Sequence, residues 1–565
     1  MFSSDYVIIG AGLSGTVLAT RLSEDPAIVV TVLEAGTTSF HDDNTDIPGK
    51  FFDNIGAPGK DWSFFSIPQK GLGDRPVFLP RGKNIGGSSL LNFMEYNRAS
   101  SVEYDCRPIK ISETFTYADE QAATYGFQFD KDYYGTSGPL QRCVPRYLDQ
   151  VALPWIESIK SLGVKANPDP NAGDNTGVWI TTATLDRNSV RSSAASAYYE
   201  PNQSRPNLKI ICGAQATRII LSGKDTLVAN GVEYLVDGVL HTINATKEVI
   251  LSAGTYKTPQ ILELSGIGDP EVLKSFGIEV AVNLPGVGNN LQVDHVTATF
   301  TAQLKPGHET FARLADAEFE RMQKDLFKAT GRGMLAGVPA AFAFLSFKDL
   351  DKDGSIANLV ADLSLPTTPV SDVHKQWVCD NTVSFLELSA FDRFIPGSLM
   401  SPEAGIDYIS STLILMHPFS YGSVHISASE PTAVPAIDHN YLDNEIDVRI
   451  LLKGYKLLRE IYKTSPLKEH IVTEVNPGAE IQTDADLTEY IRRTLGTTFH
   501  PIGTASMLPR KDGGVVDSRL KVYGTQNLRV VDASIIPIHL SAHLQGTLYA
   551  IAEKAADLIK EDVQC

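Results

Sequence analysis

The chain has 565 residues, of which 43% are hydrophobic and 21% charged, so it is long enough to bury a large core and too apolar to be disordered. Its formal net charge of -18 argues against nucleic acid and an anionic membrane surface as partners. No apolar run approaches the ~20 residues that cross a bilayer. The five cysteines show neither a disulfide framework nor metal-ligand spacing, so no metal site is predicted.

A strand is predicted over residues 6–9, and a glycine-rich turn, Gly-Ala-Gly-Leu-Ser-Gly, follows it at 10–15. In a nucleotide-binding unit Gly10 makes the tight turn and Gly12 lets the backbone approach a pyrophosphate, while Gly15 lets the next helix pack on the strand. The N-terminus of that helix also offers unpaired N–H groups to phosphates. The turn therefore predicts a dinucleotide site.

The residues after the turn support this prediction. Apolar residues recur at helical spacing over 14–23, and a second strand predicted over 28–33 leads into Glu34, near the position of the acid that binds a ribose hydroxyl. The alternative is a structural βαβ turn with a surface glutamate. Because the turn begins so early, no signal peptide is expected within the sequence. The chain as written is expected to be cytoplasmic, or extracellular if a leader was removed.

The rest of the sequence alternates between two kinds of pattern. A second glycine-rich turn, 82–92, enters a short helix, and its backbone N–H groups are available to a ligand. Between 300 and 440 alternating apolar residues, as in 298–301 and 424–426, predict an antiparallel sheet. Strands are also predicted over 208–212, 218–221, 248–252 and 528–531, and helices over 254–264, 451–462 and 547–559.

Two histidines lie where ligand-facing loops are expected. His500 precedes a proline, which favours an extended backbone there. His543 lies between the strand that ends at Asp532 and the last helix, and loops after parallel strands face the ligand crevice. His539 lies in the same loop and is the alternative candidate. Since the chain has 12 histidines, position alone selects His500 and His543 as catalytic candidates.

Four motifs in order resemble the glucose-methanol-choline (GMC) family of flavoprotein oxidoreductases, and the resemblance covers nearly the whole chain. The first motif is residues 82–92 and the second is residues 254–268. The third is the His-Pro-x-Gly-Thr sequence of residues 500–504 together with residues 514–517, and the fourth is residues 527–534 together with residues 552–557. The resemblance implies an α/β fold in which an antiparallel-sheet, α+β substrate-binding domain is inserted into a Rossmann-like FAD-binding domain. The implied FAD-binding domain comprises residues 1–45, 75–110, 205–295 and 515–565, and the substrate-binding domain 46–74, 111–204 and 296–514.

The cofactor implied by the resemblance is FAD rather than NAD. Leu91 stands where some relatives carry the histidine that tethers FAD covalently, so non-covalent FAD is predicted. Glu34 would bind the adenosine ribose, and the loop 86–92 would lie against the isoalloxazine. The full set of implied FAD-binding residues is Gly10, Gly12, Leu13, Ser14, Gly15, Glu34, Ala35, Arg81, Gly86, Gly87, Ser88, Asn92, Phe93, Ala216, Asp532, Ala533, His543 and Gln545.

His500 would be the general base and His543 the group that orients the alcohol and stabilises its alkoxide. The pattern His543-x-Gln545, with Phe499 before His500, looks most like the aryl-alcohol oxidase branch, including its fungal patulin synthase-like members. Phe93 and Phe499 would form aromatic substrate walls, although core packing is the alternative for both. The implied reaction is oxidation of a primary aromatic or allylic alcohol to the aldehyde, with hydride transfer to flavin N5.

Several alternatives stay open from the sequence. The electron acceptor is expected to be O2, giving H2O2, but a quinone-dependent dehydrogenase and a non-redox lyase or cyclase on the same scaffold share these motifs. The segment after Asp105 is shorter than in the family, so a flavin-binding protein with little activity is a further alternative. The expected partners are a small-molecule alcohol and the electron acceptor, and the expected state is a monomer or small homo-oligomer.

Overall fold

The computed structural model describes residues 2–38, 40–104, 107–116, 125–126, 130–223, 226–296, 300–362, 368–395 and 400–564. Two large sheets organise this part of the chain. Their strands are β1 (Phe2–Ile9), β2 (Val30–Glu34), β3 (Gly177–Ile180), β4 (Leu208–Cys212), β5 (Gln215–Ser222), β6 (Leu227–Val236), β7 (Val239–Leu251), β8 (His295–Val296), β9 (Phe300–Leu304), β10 (Ala341–Leu345), β11 (Leu386–Phe391), β12 (Tyr408–Leu415), β13 (Ile471–Asn476), β14 (Thr525–Gln526) and β15 (Leu528–Val530).

The first sheet has eight strands, six of them in the order β4-β2-β1-β7-β6-β5. The pairs β4–β2, β2–β1 and β1–β7 are parallel, while β5, β6 and β7 form an antiparallel meander. β14 and β15 join β6 and β7 in parallel. Ile9 is level with Leu33 of β2 and Leu251 of β7, so three parallel strands end at one edge. Ligands bind at that edge in doubly wound folds.

The second sheet has seven strands, and all its described pairs are antiparallel. Six strands follow the order β13-β9-β12-β11-β10-β3, and β8 joins β12. The α-helices of the described chain that have six or more residues are α1 (Leu13–Leu22), α2 (Ala152–Ser161), α3 (Gly254–Leu264), α4 (Pro270–Ser275), α5 (Ala317–Thr330), α6 (Ser355–Asp362), α7 (Pro369–Val378), α8 (Glu445–Tyr462), α9 (Asp484–Thr494) and α10 (Gln545–Gln564).

The helices determine which faces of the sheets are covered. α1 packs against α10 beside the first sheet, and α2 and α8 pack against each other and on β10 and β12 of the second. Trp155 of α2 is fully buried and its indole N–H donates to the Ser411 hydroxyl of β12, 3.1 Å away. The apolar stripes of these helices are buried in this way, and the other face of the second sheet is left to line a cavity.

Shorter strands form small sheets outside the two large ones. Two-residue strands at Phe64–Phe65 and Phe78–Leu79 form a hairpin, and Glu113–Thr116 and Leu140–Cys143 belong to a separate four-stranded sheet. Among the described cysteines, Cys212 and Cys379 are free thiols. No described helix combines the length and hydropathy needed to cross a membrane, and no group of three or more described His, Cys, Asp or Glu side chains is arranged to hold a metal ion.

The predicted α/β fold with an inserted antiparallel sheet is confirmed. Some predicted elements differ in extent: the strand predicted at 248–252 is the end of the longer β7, and the helix predicted at 451–462 begins at Glu445. The alternating run 424–426 predicts an antiparallel sheet, and Ser423–His425 pairs antiparallel with Ala436–Asp438 in a two-stranded sheet of its own. Residues 298–299 and Asp105 lie outside the described residues. The proposed domain boundaries stay a prediction.

Candidate active site

A cavity of about 1090 Å³ opens at the edge where β1, β2 and β7 end, and it extends to the uncovered face of the second sheet. Most of the residues predicted from the sequence line it, although they come from both ends and the middle of the chain. Those lining it are Gly10, Gly12, Leu13, Ser14, Glu34, Ala35, Arg81, Gly87, Ser88, Asn92, Phe93, Ala216, Phe499, His500, Asp532, Ala533, His543 and Gln545.

Two predicted cofactor residues, Gly15 and Gly86, do not line the cavity. A Cβ on Gly15 would stand 2.0 Å from the carbonyl oxygen of Gly10, so this glycine serves the packing of α1 on the turn. Gly86 has a φ of 95° and its N–H donates to the carbonyl of Ala11 at 2.8 Å, so it holds the second glycine turn against the first. Both glycines therefore pack behind the residues that line the cavity and support them.

The two glycine turns form an open cradle in the cavity wall. A Cβ on Gly12 would meet no atom within 4 Å, whereas one on Gly87 would stand 2.7 Å from the Gly12 Cα. No side chain caps the N-terminus of α1, so its first amides face the cavity. The cradle thus presents bare backbone N–H groups and a positive helix end, which is the environment that binds a pyrophosphate.

Glu34 lies at the end of β2 and is buried at the cavity edge. Its carboxylate oxygens accept hydrogen bonds from the N–H groups of Ala11 and Gly36, each at 2.8 Å. Burial raises the pKa of Glu34 to about 7, although these backbone donors and the Lys83 charge oppose the shift. The carboxyl group is therefore fixed in place, with remaining acceptor capacity for the hydroxyl groups of a ribose.

The His500 and His543 side chains come together at the opposite part of the cavity, with ring centroids 5.0 Å apart. The Nδ1 atom of His500 lies 2.7 Å from Oδ2 of Asp294. Thr497 also donates to Asp294, at 2.8 Å. Although burial acts in the opposite direction, the neighbouring His500 and these hydrogen bonds hold the pKa of Asp294 below its usual range. Asp294 is thus an ionised acceptor that fixes the His500 ring.

His543 has a different electrostatic environment. Its Nε2 lies 2.9 Å from Oε1 of Glu387, and its Nδ1 lies 3.8 Å from Oε2 of Glu95. Burial lowers the pKa of His543, but the charge and hydrogen bond of Glu387 outweigh it and raise the pKa to about 9. Burial raises the pKa of Glu95 to about 7. His543 is therefore a cation near neutral pH, held mainly by Glu387.

Asn92 and Gln545 connect the second glycine turn to the His543 loop. The Asn92 amide donates to Oε1 of Gln545 at 3.1 Å, and the Gln545 amide donates to the backbone carbonyl of Glu95 at 2.5 Å. The buried Arg191 donates to the Asn92 side-chain oxygen at 2.8 Å. This network fixes both predicted residues at the cavity wall.

The aromatic candidates also lie at the wall. Phe93 packs against Phe51 and Phe52, with ring centroids 4.5 and 4.8 Å apart. Phe499 adopts a φ of 72°, in the left-handed region that a bulky residue rarely adopts, and its carbonyl accepts a hydrogen bond from Arg81. This backbone conformation presents His500 to the cavity.

Sequence reasoning missed the carboxylates that distinguish the two histidines. Glu387 and Ser389 alternate with apolar residues in β11, and this period of two was an available sign of a polar, site-facing strand face. No comparable pattern marks Asp294. The alternative candidate, His539, is buried, does not line the cavity and contacts the backbone carbonyl of His500 at 3.0 Å. Burial lowers the pKa of His539 to about 4, so its imidazole is neutral and supports the backbone at His500.

Comparison with known proteins agrees with this geometry. Residues 4–297 and 418–552 match the N- and C-terminal family models described as GMC oxidoreductase. The GMC oxidoreductase family protein Mala s 12 of Malassezia sympodialis is 36% identical to this chain, over 99% of this chain and 92% of that protein.

Two solved structures are similar over the full length. An FAD-dependent oxidoreductase from Chaetomium thermophilum has a TM-score of 0.90 and 30% identity, covering 99% of this chain and 100% of its own. A fungal aryl-alcohol oxidase has a TM-score of 0.88 and 28% identity, covering 100% and 99%. The open glycine cradle and the buried Glu34 fit the pyrophosphate and ribose of FAD, the cofactor of this family. The chain belongs to the GMC oxidoreductase family and is an FAD-dependent flavoprotein enzyme.

Proposed function

We propose that this enzyme oxidises a primary aromatic or allylic alcohol to the aldehyde, with O2 as electron acceptor and H2O2 as second product. The observation that carries the proposal is the pair of cavity-facing imidazoles, one held by Asp294 and the other made cationic by Glu387. A base and a cationic hydrogen-bond donor side by side are what removal of a hydroxyl proton requires. Similarity to a fungal aryl-alcohol oxidase supports the substrate class.

His500 is the proposed base. Because the ionised Asp294 only accepts hydrogen bonds, the proton of the neutral imidazole resides on Nδ1 and Nε2 keeps its lone pair. Nε2 then takes the hydroxyl proton of the alcohol, and the nearby Asp294 carboxylate stabilises the imidazolium that forms. The flavin, when bound, supplies the acceptor for the hydride that leaves the carbinol carbon.

His543 is the proposed electrophilic partner. Its Nε2–H is used by Glu387, whereas its Nδ1 is 3.8 Å from Glu95, beyond hydrogen-bond distance. The Nδ1–H of the cation is therefore available to the alcohol oxygen, where it orients the substrate and stabilises the developing alkoxide. Phe93 and Phe499 are the proposed walls for a flat substrate, and the Phe93 contacts with Phe51 and Phe52 continue that apolar surface.

The proposal is tested by anaerobic mixing of the holoenzyme with a panel of benzylic, allylic and aliphatic alcohols. We expect bleaching of the oxidised flavin band with the first two classes. His500→Ala is expected to slow bleaching by at least ~10²-fold. His241→Ala is the control, because that histidine is exposed on β7.

Comparison of turnover with O2 and with benzoquinone identifies the acceptor. A flavin that stays oxidised while substrate is consumed contradicts alcohol oxidation and favours a lyase or cyclase. Near-normal bleaching in the His500→Ala variant contradicts the assignment of the base. Turnover with benzoquinone but not with O2 contradicts the assignment as an oxidase and shows that the enzyme is a quinone-dependent dehydrogenase.

A further inference from the structure

One strand of the second sheet places charged groups at two separate positions in the cavity. Glu387, Ser389 and Phe391 of β11 alternate along one face and all line the cavity. Glu387 contacts His543, and Phe391 is four residues further along, about 13 Å at the usual rise of a strand. Arg393 follows two residues later and lines the same cavity. The catalytic pair and Arg393 therefore lie well apart along the cavity.

Arg393 lies in an aromatic environment. Its guanidinium carbon is 4.0 Å from the ring centroid of Phe311, 4.9 Å from that of Phe51 and 5.4 Å from that of Phe52. Phe52 lines the cavity and also contacts Phe93, so an aromatic wall runs from the second glycine turn towards the guanidinium, with Phe51 packed behind it. A flat apolar ligand that contacts Phe93 is thus directed towards a cation.

The charge of Arg393 has no direct partner among the residues that the structure describes. Its Nη2 is buried without a hydrogen-bond acceptor, and no described carboxylate lies within salt-bridge distance of the guanidinium. Burial lowers the pKa of Arg393 to about 10, although the charges of Asp392 and Asp53 oppose the shift, so the group stays charged at neutral pH.

The neighbouring Asp392 forms no salt bridge with this cation. Its carboxyl group is buried, and burial together with the Asp149 charge raises its pKa well above the usual range. Its Oδ2 atom makes no hydrogen bond. An unpaired guanidinium against aromatic rings is costly, and a ligand anion would offset that cost. Arginine presents a fork that matches the two oxygens of a carboxylate.

We propose that Arg393 is a carboxylate-binding subsite, and that the substrate is an elongated aromatic or polyene alcohol acid. Its hydroxymethyl group lies at His500 and His543, and its carboxylate at Arg393. The assignment of the reacting end rests on the proposed function, whereas the carboxylate subsite does not require turnover. The distance along β11 requires a substrate longer than one ring.

The first experiment measures binding of non-reacting ligands to the holoenzyme by calorimetry. The probes are para-phenylbenzoate and its methyl ester, which differ in charge at one end. We expect the wild type to bind the carboxylate at least ~10-fold more tightly than the ester. Arg393→Met should abolish this preference, and Arg393→Lys should keep part of it, since the charge remains and the fork is lost.

The matched control is Arg218→Met, which removes an exposed arginine paired with Glu233 on β6 and should leave the preference unchanged. Equal affinity of the wild type for acid and ester overturns the subsite, whether or not the Arg393 variants fold. A carboxylate preference that survives in Arg393→Met, with a lowered melting temperature, assigns Arg393 to packing instead and also overturns it.

A second experiment separates this inference from the proposed function. The hydroxymethyl derivatives of para-phenylbenzoate and of its ester are mixed anaerobically with the holoenzyme. Faster flavin bleaching with the acid at low concentration supports both proposals. A carboxylate preference in calorimetry without bleaching by any alcohol contradicts the proposed function and leaves the subsite supported. Equal bleaching by acid and ester, with equal affinities, overturns only the subsite.

Discussion

The chemical role of each histidine in this cavity is determined by the carboxylates around it. His500 has one ionised partner, Asp294, at Nδ1, which leaves Nε2 as an acceptor. His543 has Glu387 at hydrogen-bond distance and Glu95 nearby, and its pKa rises to about 9. Two identical side chains 5.0 Å apart thus acquire opposite functions, as base and as donor.

Replacement of Asp294 by Asn should separate orientation from charge. The amide keeps the shape of the side chain but carries no charge to stabilise the imidazolium, and its NH2 group can donate to Nδ1 and favour the wrong tautomer. We expect flavin reduction by benzylic alcohols to slow by ~10²-fold or more, with FAD content unchanged. Stopped-flow absorbance measures the rate, and Asp269→Asn, at a helix N-cap that does not line the cavity, is the control. A wild-type rate in Asp294→Asn would refute the role of the carboxylate.

The raised pKa of His543 predicts an alkaline limit to activity. The folded-state pKa is about 9 against an ordinary value of 6.5, so the imidazolium of the folded enzyme persists through neutral pH and is lost as pH rises through 9. The reduction rate should fall in the same range, because the donor to the alkoxide is lost. Glu387→Gln should move this limb to lower pH, since Glu387 is the main cause of the shift. An alkaline limb that does not move in this variant contradicts the assignment.

At the scale of elements, the first turn and helix α1 combine two glycines with different roles. Gly12 has a φ of -67°, which any residue adopts, and open space where a Cβ would stand. Gly12→Val should therefore fold but bind FAD at least ~10-fold more weakly, because the side chain occupies the pyrophosphate position. Gly15→Val, with its Cβ 2.0 Å from the Gly10 carbonyl, should lose about 1–3 kcal/mol of stability or more.

Flavin absorbance of the purified variants and thermal unfolding of their FAD-free forms distinguish these effects. The FAD-free Gly12→Val variant should have the same melting temperature as the FAD-free wild type. The melting temperature of Gly15→Val should be well below that value. If Gly12→Val retains its flavin, the pyrophosphate does not lie in the cradle.

Elements with local patterns were predictable from the sequence, and long-range contacts were not. The glycine turn, α1 and β2 are specified by residues within one βαβ unit, so periodicity and turn chemistry identify them. His500 and His543 were found by their positions in loops and motifs. Asp294 and Glu387 reach these histidines only through the folding of the second sheet, over more than 150 residues of sequence. Their contacts depend on strand pairing, which single-sequence periodicity does not determine.

At the scale of the whole molecule, the cavity joins segments that are distant in the chain. Its wall contains Gly12 near the start, Glu387 in the second sheet and His543 near the end. A ligand that contacts all three parts binds only the folded arrangement, so its binding free energy adds to the free energy of unfolding. The cofactor is therefore expected to act as a structural link between the two sheets as well as a reactant.

This linkage gives a test of non-covalent binding, for which Leu91 at the cavity wall is the sequence evidence. Free FAD at 100 times its dissociation constant should stabilise the protein by about 2.7 kcal/mol, and the melting temperature should rise further with FAD concentration. A covalently held cofactor would give a melting temperature independent of added FAD. Thermal scans over a series of FAD concentrations, followed by ultrafiltration of the denatured protein, make the measurement. We expect the flavin in the filtrate. Flavin retained with the polypeptide after denaturation would show a covalent tether, which some residue other than Leu91 would have to form.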